Sequence, residues 1–434
     1  MAGIDQRERA SVSTTLTPSG YIPRVSDTAI QESLEAMPAI VIEGPKGCGK
    51  TWSGRRFCRS EVLFDQDHNA RQSVAATPGF VLKGDEPRLL DEWQLADEVW
   101  NQVRRACDEG HGKGRFILTG SATPADDITR HSGAGRIGRV RMRTMSLLES
   151  GESTGEASLR TLLNGEAMAT HRPDATFRDV VDAVCRGGWP RHLDQPAEKA
   201  QLLLRNYLNE VARTDISTVD GIARDPYGVQ RLLASISRNI ATTASFSKLA
   251  AEASGDRNLN RTTATEYLRS LERLFVVEDL PSWVTHLRSR ARLRSSPKRH
   301  FVDPSLAAAT LGATPDGLMR ELDALGFLFE SLAVRDLRIY GQSNEADVYH
   351  YRDSDNLEAD AIVEARDGRW IAVEAKLGGQ QWIEEAAQSL LRLKQKVDTD
   401  RAGEPSKLLI ITATGYGYDR PDGTTVLPIT ALGP

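Results

Sequence analysis

The sequence predicts an α/β protein of two or three domains: a parallel-sheet domain first, a mostly helical middle, and a second α/β domain at the end. Three observations carry this reading. Between Tyr21 and about Pro190, short apolar strands alternate with helical stretches, as in sheets whose strands are joined by helical crossovers. Residues from about 195 to 280 place apolar side chains at helical spacing. From about 300 onward the strand and helix alternation returns. The length of 434 residues agrees, being more than one hydrophobic core usually serves.

Composition narrows the class. With 40% hydrophobic and 26% charged residues, the balance is that of an ordinary globular protein. A formal net charge of -5 gives no bulk attraction to nucleic acid, so any such binding needs a local basic patch. Cys48, Cys58, Cys107 and Cys185 are scattered, without the close pairs of zinc or redox sites. That spacing suits a reducing cytoplasm rather than a disulfide framework. No apolar run approaches the roughly 18–20 residues that span a bilayer, so no membrane partner is expected. The opening MAGIDQRERA is charged where a secretory signal needs an apolar core. Residues 1–20, rich in Ser and Thr, read as a disordered tail.

Along the chain, the clearest early strands are Ala39–Ile42, Leu89–Leu90 and Phe116–Leu118, each ending in polar or small residues. An open parallel sheet places its ligand at such ends. Gly187-Gly188-Trp189-Pro190 is strong punctuation and marks a boundary. Ala264, Tyr267, Leu268, Leu271 and Leu274 form a helical stripe. Phe246-Ser247 opens a shorter helix before it, Ser254-Gly255-Asp256 makes a turn, and Phe275-Val276-Val277 reads as a strand. Helix, turn, helix, strand is the order of a winged helix. Leu287 to Arg299 is basic, with Arg288, Arg290, Arg292 and Arg294 at period two, on one face if extended. Such a ladder is either a solvated face or a DNA contact. Later strands are expected at Ala361–Val363, Trp370–Val373 and Leu408–Ile411.

The chemistry begins at Gly44-Pro45-Lys46-Gly47-Cys48-Gly49-Lys50-Thr51, which fits G-x-x-x-x-G-K-[ST] between a strand and a helix. Glycines at Gly44, Gly47 and Gly49 let backbone N–H groups turn toward phosphates, and Pro45 and Cys48 complete the loop. Lys50 supplies charge to the β and γ phosphates of ATP, and the Thr51 hydroxyl takes a Mg²⁺ position. In Leu90-Asp91-Glu92, Asp91 would hold Mg²⁺ at a strand end and Glu92 would polarise the attacking water. Thr119 or Ser121 either orients that water or merely caps its strand. Arg136, in Ser132-Gly133-Ala134-Gly135-Arg136, is a candidate donor to the transition state; for Arg136, Arg139 and Arg141 alike the alternative is a solvated arginine in a flexible basic loop. Such an arginine is often lent by a neighbouring subunit, so a homo-oligomer is expected.

These motifs make the chain resemble the bacterial and archaeal AAA-type ATPases that carry a C-terminal DUF4143 domain. The resemblance rests on the P-loop, Leu90-Asp91-Glu92-Trp93-Gln94, Leu118-Thr119-Gly120-Ser121, Ser132 to Arg136, Met145 to Glu149 and Gly187 to Pro190. It continues through Tyr207-Leu208-Asn209, Arg213-Thr214-Asp215-Ile216 and Gly326 to Glu330. Met145 stands where the family usually has Pro. The resemblance implies an AAA-like P-loop domain, a winged-helix middle and a C-terminal domain similar to PD-(D/E)XK nucleases. The expected domains are then 21–190, 191–299 and 300–434, after the 1–20 tail.

A second constellation lies in the last domain. Asp360 precedes one strand, Asp367-Gly368 makes a turn, and the next strand ends in Glu374-Ala375-Lys376. A β-hairpin would bring Asp360, Glu374 and Lys376 together, and two carboxylates can hold Mg²⁺ on a scissile phosphate with a lysine beside it. The alternative is a hydrogen-bonded relic without metal. Glu330 resembles the family's additional acidic residue, and Gln388 falls on the following helix. Two functions remain open from sequence. One is a Mg²⁺-dependent ATPase coupled to a DNA-binding, nuclease-like domain. The other is a nucleotide-switched interaction or DNA-binding protein whose nuclease-like domain is inactive.

Overall fold

The first sheet has five strands, all parallel, because each is joined to the next by a crossover: β1 (Ala39–Glu43), β2 (Ser60–Leu63), β3 (Arg88–Asp91), β4 (Phe116–Gly120) and β5 (Ile137–Arg141). Their order is β2-β3-β4-β1-β5. The computed structural model describes residues 15–110, 112–123, 132–168, 173–219, 221–254, 259–284 and 296–434. Four helices flank the sheet: α1 (Ser26–Ala36), α2 (Lys50–Phe57), α3 (His68–Ala76) and α4 (Glu98–Glu109).

Alternation along the strands divides two apolar layers. Ile40, Ile42, Leu89 and Ile117 pack with Ile30 and Leu34 of α1. Val41, Leu90, Phe116 and Leu118 pack with Val74 of α3 and with Val99, Trp100 and Val103 of α4. Burial on both faces is why β1 and β4 read as unbroken apolar runs. Since β1, β3 and β4 run the same way, the loop from Gly44, the Asp91–Glu92 pair and the Thr119–Ser121 turn emerge at one sheet end. Of the expected tail, residues 1–14 lie outside the described residues. Residues 15–20 run past the end of α2, where the Leu16 N–H donates to the Cys58 carbonyl at 3.0 Å.

The middle is helical: α5 (Phe177–Arg186), α6 (Ala197–Glu210), α7 (Pro226–Arg238), α8 (Phe246–Ser254) and α9 (Arg261–Arg273). Thr176 and Asp179 close a reciprocal capping box on α5. After α6 the chain widens into a π turn over Val211–Asp215. The expected stripe is buried on α9, with Ala264 and Leu271 fully inaccessible. The strand expected at Phe275–Val277 is interrupted, because Phe275 adopts φ +59°. In its place stand two antiparallel bridges, Val277↔Phe301 and Leu280↔Lys298. Gly255, Asp256 and the ladder Arg288, Arg290, Arg292 and Arg294 lie outside the described residues.

The last part holds α10 (Pro304–Leu311), α11 (Leu322–Gln342), α12 (Gln380–Lys396) and a mixed six-stranded sheet. Its strands are β7 (Ala346–Arg352), β8 (Glu358–Ala365), β9 (Trp370–Lys376), β10 (Lys407–Thr412), β11 (Tyr418–Asp419) and β12 (Thr424–Pro428), beside the short terminal β13 (Leu432–Gly433) elsewhere. Period-two alternation again sorts the faces. Ala361, Val363, Ile371 and Val373 pack with Leu328 and Leu332 of α11, whereas Ile362, Ala372 and Ile410 pack with Ala386 and Leu390 of α12. The core under α11 is continuous with that of the helical middle, running from Leu147 to Leu432. β13 pairs with β6 (Ala157–Ser158), which ties the chain's last residues to the segment after the first sheet.

A fully buried ionic network joins these parts. Asp303 caps α10 and accepts hydrogen bonds from the Thr144 hydroxyl at 2.7 Å, the Gly188 N–H at 3.0 Å and Arg335 Nη1 at 2.9 Å. Arg335 Nε also donates to Asp336 at 2.8 Å, and Asp336 accepts the Leu147 N–H at 3.1 Å. Burial alone would push the Asp303 carboxyl up, but the Arg335 guanidinium and these donors hold it below the ordinary range. A depressed carboxyl contributes stability that is present above its unfolded pKa and lost as pH falls through the folded one. Asp303→Asn is therefore expected to cost about 3 kcal/mol or more in urea unfolding at neutral pH, with the difference from wild type shrinking in acid. A loss under about 1 kcal/mol would show that the network does not hold the parts together.

Candidate nucleotide site and a second carboxylate site

The loop between β1 and α2 has a conformation that its glycines permit. A Cβ on Gly44 would stand 2.1 Å from the Met142 carbonyl oxygen, so the close passage of β5's continuation requires glycine. Gly49 holds φ +106° immediately before α2 starts at Lys50. The Lys50 side chain is buried and folds back, Nζ donating to the Pro45 carbonyl at 2.9 Å. The first turn of α2 leaves N–H groups directed into the loop, a ready site for anions.

Next to it, Thr51 Oγ1 donates to Asp91 Oδ1 at 2.8 Å, and the Thr119 hydroxyl donates to the same oxygen. Burial raises the Asp91 carboxyl, and the two hydroxyls partly reverse that rise. Glu92 follows in the left-handed region at φ +53°, a strained position for glutamate. Its backbone N–H donates to Thr119 Oγ1 at 3.2 Å. Its carboxylate accepts from Ser121 Oγ at 2.9 Å and from the Gln94 amide. Thus Thr51, from the start of α2, and Asp91, Glu92, Thr119 and Ser121, from two strand ends, meet at one place beside the loop.

Arg136 lies elsewhere. Its carbonyl accepts the Ala39 N–H, at the start of β1, whereas the loop leaves the other end of that strand. Five residues of strand separate the two ends, roughly 16 Å. Its side chain is half exposed and pairs with Asp108 at 2.8 Å. Arg139 pairs with Glu43 at 2.7 Å, and Arg141 lies over the Phe275 ring.

Three supports of the loop were not assigned to that role from the sequence. Arg24 Nη1 donates to the Cys48 carbonyl at 2.7 Å while its Nε pairs with Glu149 at 3.0 Å. Lys46 Nζ reaches Asp215, in the π turn, at 2.6 Å. The Trp189 ring lies 3.8 Å from where a Gly47 Cβ would stand. The Met145–Glu149 and Arg213–Ile216 motifs marked the partners Glu149 and Asp215, but their targets come from distant segments.

The second constellation assembles at the open end of the β8–β9 hairpin. The ladder stops at Ala361↔Val373, and beyond it Asp360 Oδ2 takes the Ala375 N–H at 2.9 Å. Lys376 Nζ stands 2.7 Å from Glu374 and 3.8 Å from Asp360. Glu330, on α11, joins them through Lys298, whose Nζ lies 2.6 Å from Glu330 and 3.2 Å from Asp360. Burial and the neighbouring Asp360 charge push both Glu330 and Glu374 up to about 8. Lys298 is raised despite its burial, because Glu330 and Asp360 flank it. A cleft of about 510 Å³ opens onto Lys298, Glu330, Asp360 and Lys376. Gln388, on α12, is exposed and lies 3.5 Å from Glu384, outside this group.

Three family models match the chain. An AAA domain covers residues 36–150, a domain of unknown function (DUF8612) covers 177–317, and a domain of unknown function (DUF4143) covers 325–432. Together they support an AAA-type ATPase carrying a DUF4143 domain, and with it the binding of ATP. None of the curated proteins matches. Among solved structures, the chain is similar to a Walker-type ATPase of Pyrococcus abyssi, with 12% identity, a TM-score of 0.42, and coverage of 69% of this chain and 99% of that one. It is also similar to AMPPCP-bound DnaA of Aquifex aeolicus, with 14% identity, a TM-score of 0.26, and coverage of 56% and 86%. The family models, not these superpositions, carry the assignment. Among the described residues, no helix is long and apolar enough to cross a membrane.

Proposed function

We propose that the chain is a Mg²⁺-dependent ATP hydrolase in which Lys50 faces the phosphates, Thr51 and Asp91 hold the ion, and Glu92 activates water. The observation that carries this reading is the meeting of Thr51 and Thr119 on one Asp91 oxygen beside the Gly44–Thr51 loop. A hydroxyl and a carboxylate 2.8 Å apart are hard oxygen donors of the kind Mg²⁺ takes, its other ligands being water and substrate phosphates. The ion, when bound, neutralises charge on the phosphates.

Each side chain then has a task. The buried Lys50 ammonium turns from the Pro45 carbonyl to the β and γ phosphates. Glu92, steadied by Ser121 and Gln94, accepts the proton of the attacking water. Thr119 is a positioning residue, since one hydroxyl bonds both the Asp91 carboxylate and the Glu92 N–H. Arg136, at the far end of β1, serves catalysis only in a neighbouring subunit's site, so this role entails a homo-oligomer.

For the rest of the chain we assign nucleic acid as the partner. The order α8, α9 and the bridges at Val277 and Leu280 supports a winged-helix reading. The ladder Arg288, Arg290, Arg292 and Arg294 follows it in sequence, and Lys248 and Arg352 line the cleft of the second site.

Lys50→Ala is expected to weaken ATP binding at least about tenfold, read by nucleotide titration. Glu92→Gln should keep binding and lower turnover by roughly 10²-fold; equal turnover would remove Glu92 as the base. If Arg136 acts across an interface, turnover rises with protein concentration, and mixing Arg136→Ala with Glu92→Gln subunits restores part of it. A monomeric enzyme with concentration-independent turnover excludes that role. Replacing Arg290, Arg292 and Arg294 together by Ala should weaken duplex DNA binding and flatten the slope of log affinity against log salt by about 2.7. An unchanged slope would take the ladder out of the DNA contact.

A further inference from the structure

The carboxylates of the second site have the residue types of a divalent-metal centre, yet a cation of the chain's own lies among them. Lys298 Nζ is 2.6 Å from Glu330 Oε1 and 3.2 Å from Asp360 Oδ1. Those are hydrogen-bonding distances of an ammonium that bridges two carboxylates. A divalent ion bound by both would sit 2.0–2.6 Å from the same oxygens, in the space the ammonium fills. Lys376 supplies a second ammonium on the Glu374 side. Three carboxylates therefore face two lysines, and little negative charge is left for a metal.

Lys298 is not free to step aside. Its backbone is fixed by reciprocal hydrogen bonds with Leu280, at 3.0 and 2.8 Å. Its side chain is 4% exposed. Withdrawing it would strand its own ammonium in a buried place without the two carboxylates that pair it, which is strongly unfavourable. Keeping it would set a divalent ion against an ammonium at contact distance. The residues present do not fit a metal.

We propose that Lys298 takes the place of a divalent cation at Asp360 and Glu330, so that the C-terminal site binds no metal. The lysine then does a structural task as well. It ties the Leu280 bridge, at the end of the helical middle, to α11 and to the first residues of β8.

The test uses the full chain without nucleotide and Mn²⁺ as the probe, free Mn²⁺ being counted by electron paramagnetic resonance. Any Mn²⁺ held at Thr51 and Asp91 is common to all variants and cancels in the comparison. Wild type and Asp360→Asn should bind the same amount. Lys298→Met, close in length but uncharged, should gain about one Mn²⁺ per chain, and Lys298→Met/Asp360→Asn should lose it again. Mn²⁺ should also raise the melting temperature of Lys298→Met and not that of wild type. If wild type binds Mn²⁺ that Asp360→Asn abolishes, the proposal fails. It fails equally if a folded Lys298→Met gains no ion. Should Lys298→Met not fold, the comparison of wild type with Asp360→Asn still decides whether metal enters the site.

Discussion

Two carboxylates closed around one buried guanidinium hold this molecule together. Arg335, Asp303 and Asp336 have almost no contact with solvent. Ions removed from water are tolerated only when paired and when their spare hydrogen-bonding positions are filled. The filling groups come from three separate stretches: Thr144 and Leu147 after the first sheet, Gly188 in the glycine turn, and Ser305 at the start of α10. The glycine turn fits because residue 188 has no side chain; a Cβ there would stand 1.9 Å from the Met145 carbonyl. The same stretch, from Met142 to Glu149, also packs against Gly44 and pairs with Arg24. The network therefore fixes both the assembly of the parts and the wall of the nucleotide loop.

The first site was largely legible because its chemistry is local. One octapeptide, with a strand before it and a helix after it, specifies the loop, and Asp91 and Glu92 are adjacent at a strand end. Parallel strands then bring the ends together without further information. The edge strands were harder to read. β2 reads Ser-Glu-Val-Leu, with its outward positions half exposed. β5 alternates apolar residues with Arg139 and Arg141, so the sequence looked like a basic loop around Arg136. On a half-exposed edge, arginines can pair outward without disturbing the ladder. Propensity at Phe275-Val276-Val277 suggested a strand, but a left-handed Phe275 breaks it, and tertiary pairing with Phe301 won over local preference.

The second site was legible only in part, and for the same reason. Asp360, Glu374 and Lys376 flank one tight turn, so a hairpin reading places them together. Lys298 stands 62 residues from Asp360 in the chain. Within Pro297-Lys298-Arg299 it looks like the end of the basic stretch. Only the bridge to Leu280 and the position of α11 turn its ammonium inward. A motif search sees acids and a lysine in the right order. It does not see a second cation among them, and that cation changes which chemistry the site allows.

The nucleotide loop is gripped from three sides by groups that the phosphates would face or adjoin. Arg24 holds the Cys48 carbonyl, Lys46 holds Asp215 of the π turn, and Trp189 and Pro190 lie over Gly47 and Gly49. Two of these three grips belong to the helical middle rather than to the sheet. Lys46 is half exposed in that pair, but Asp215 is buried, so losing the lysine would leave a buried carboxylate without its counter-charge. The π turn that carries Asp215 is a locally widened helix. The buried network behaves likewise, because no group in it can leave without stranding a charge. The fold thus ties the loop, through Asp215, to the helical middle, and the wall beside the loop, through Thr144 and Asp303, to the start of α10.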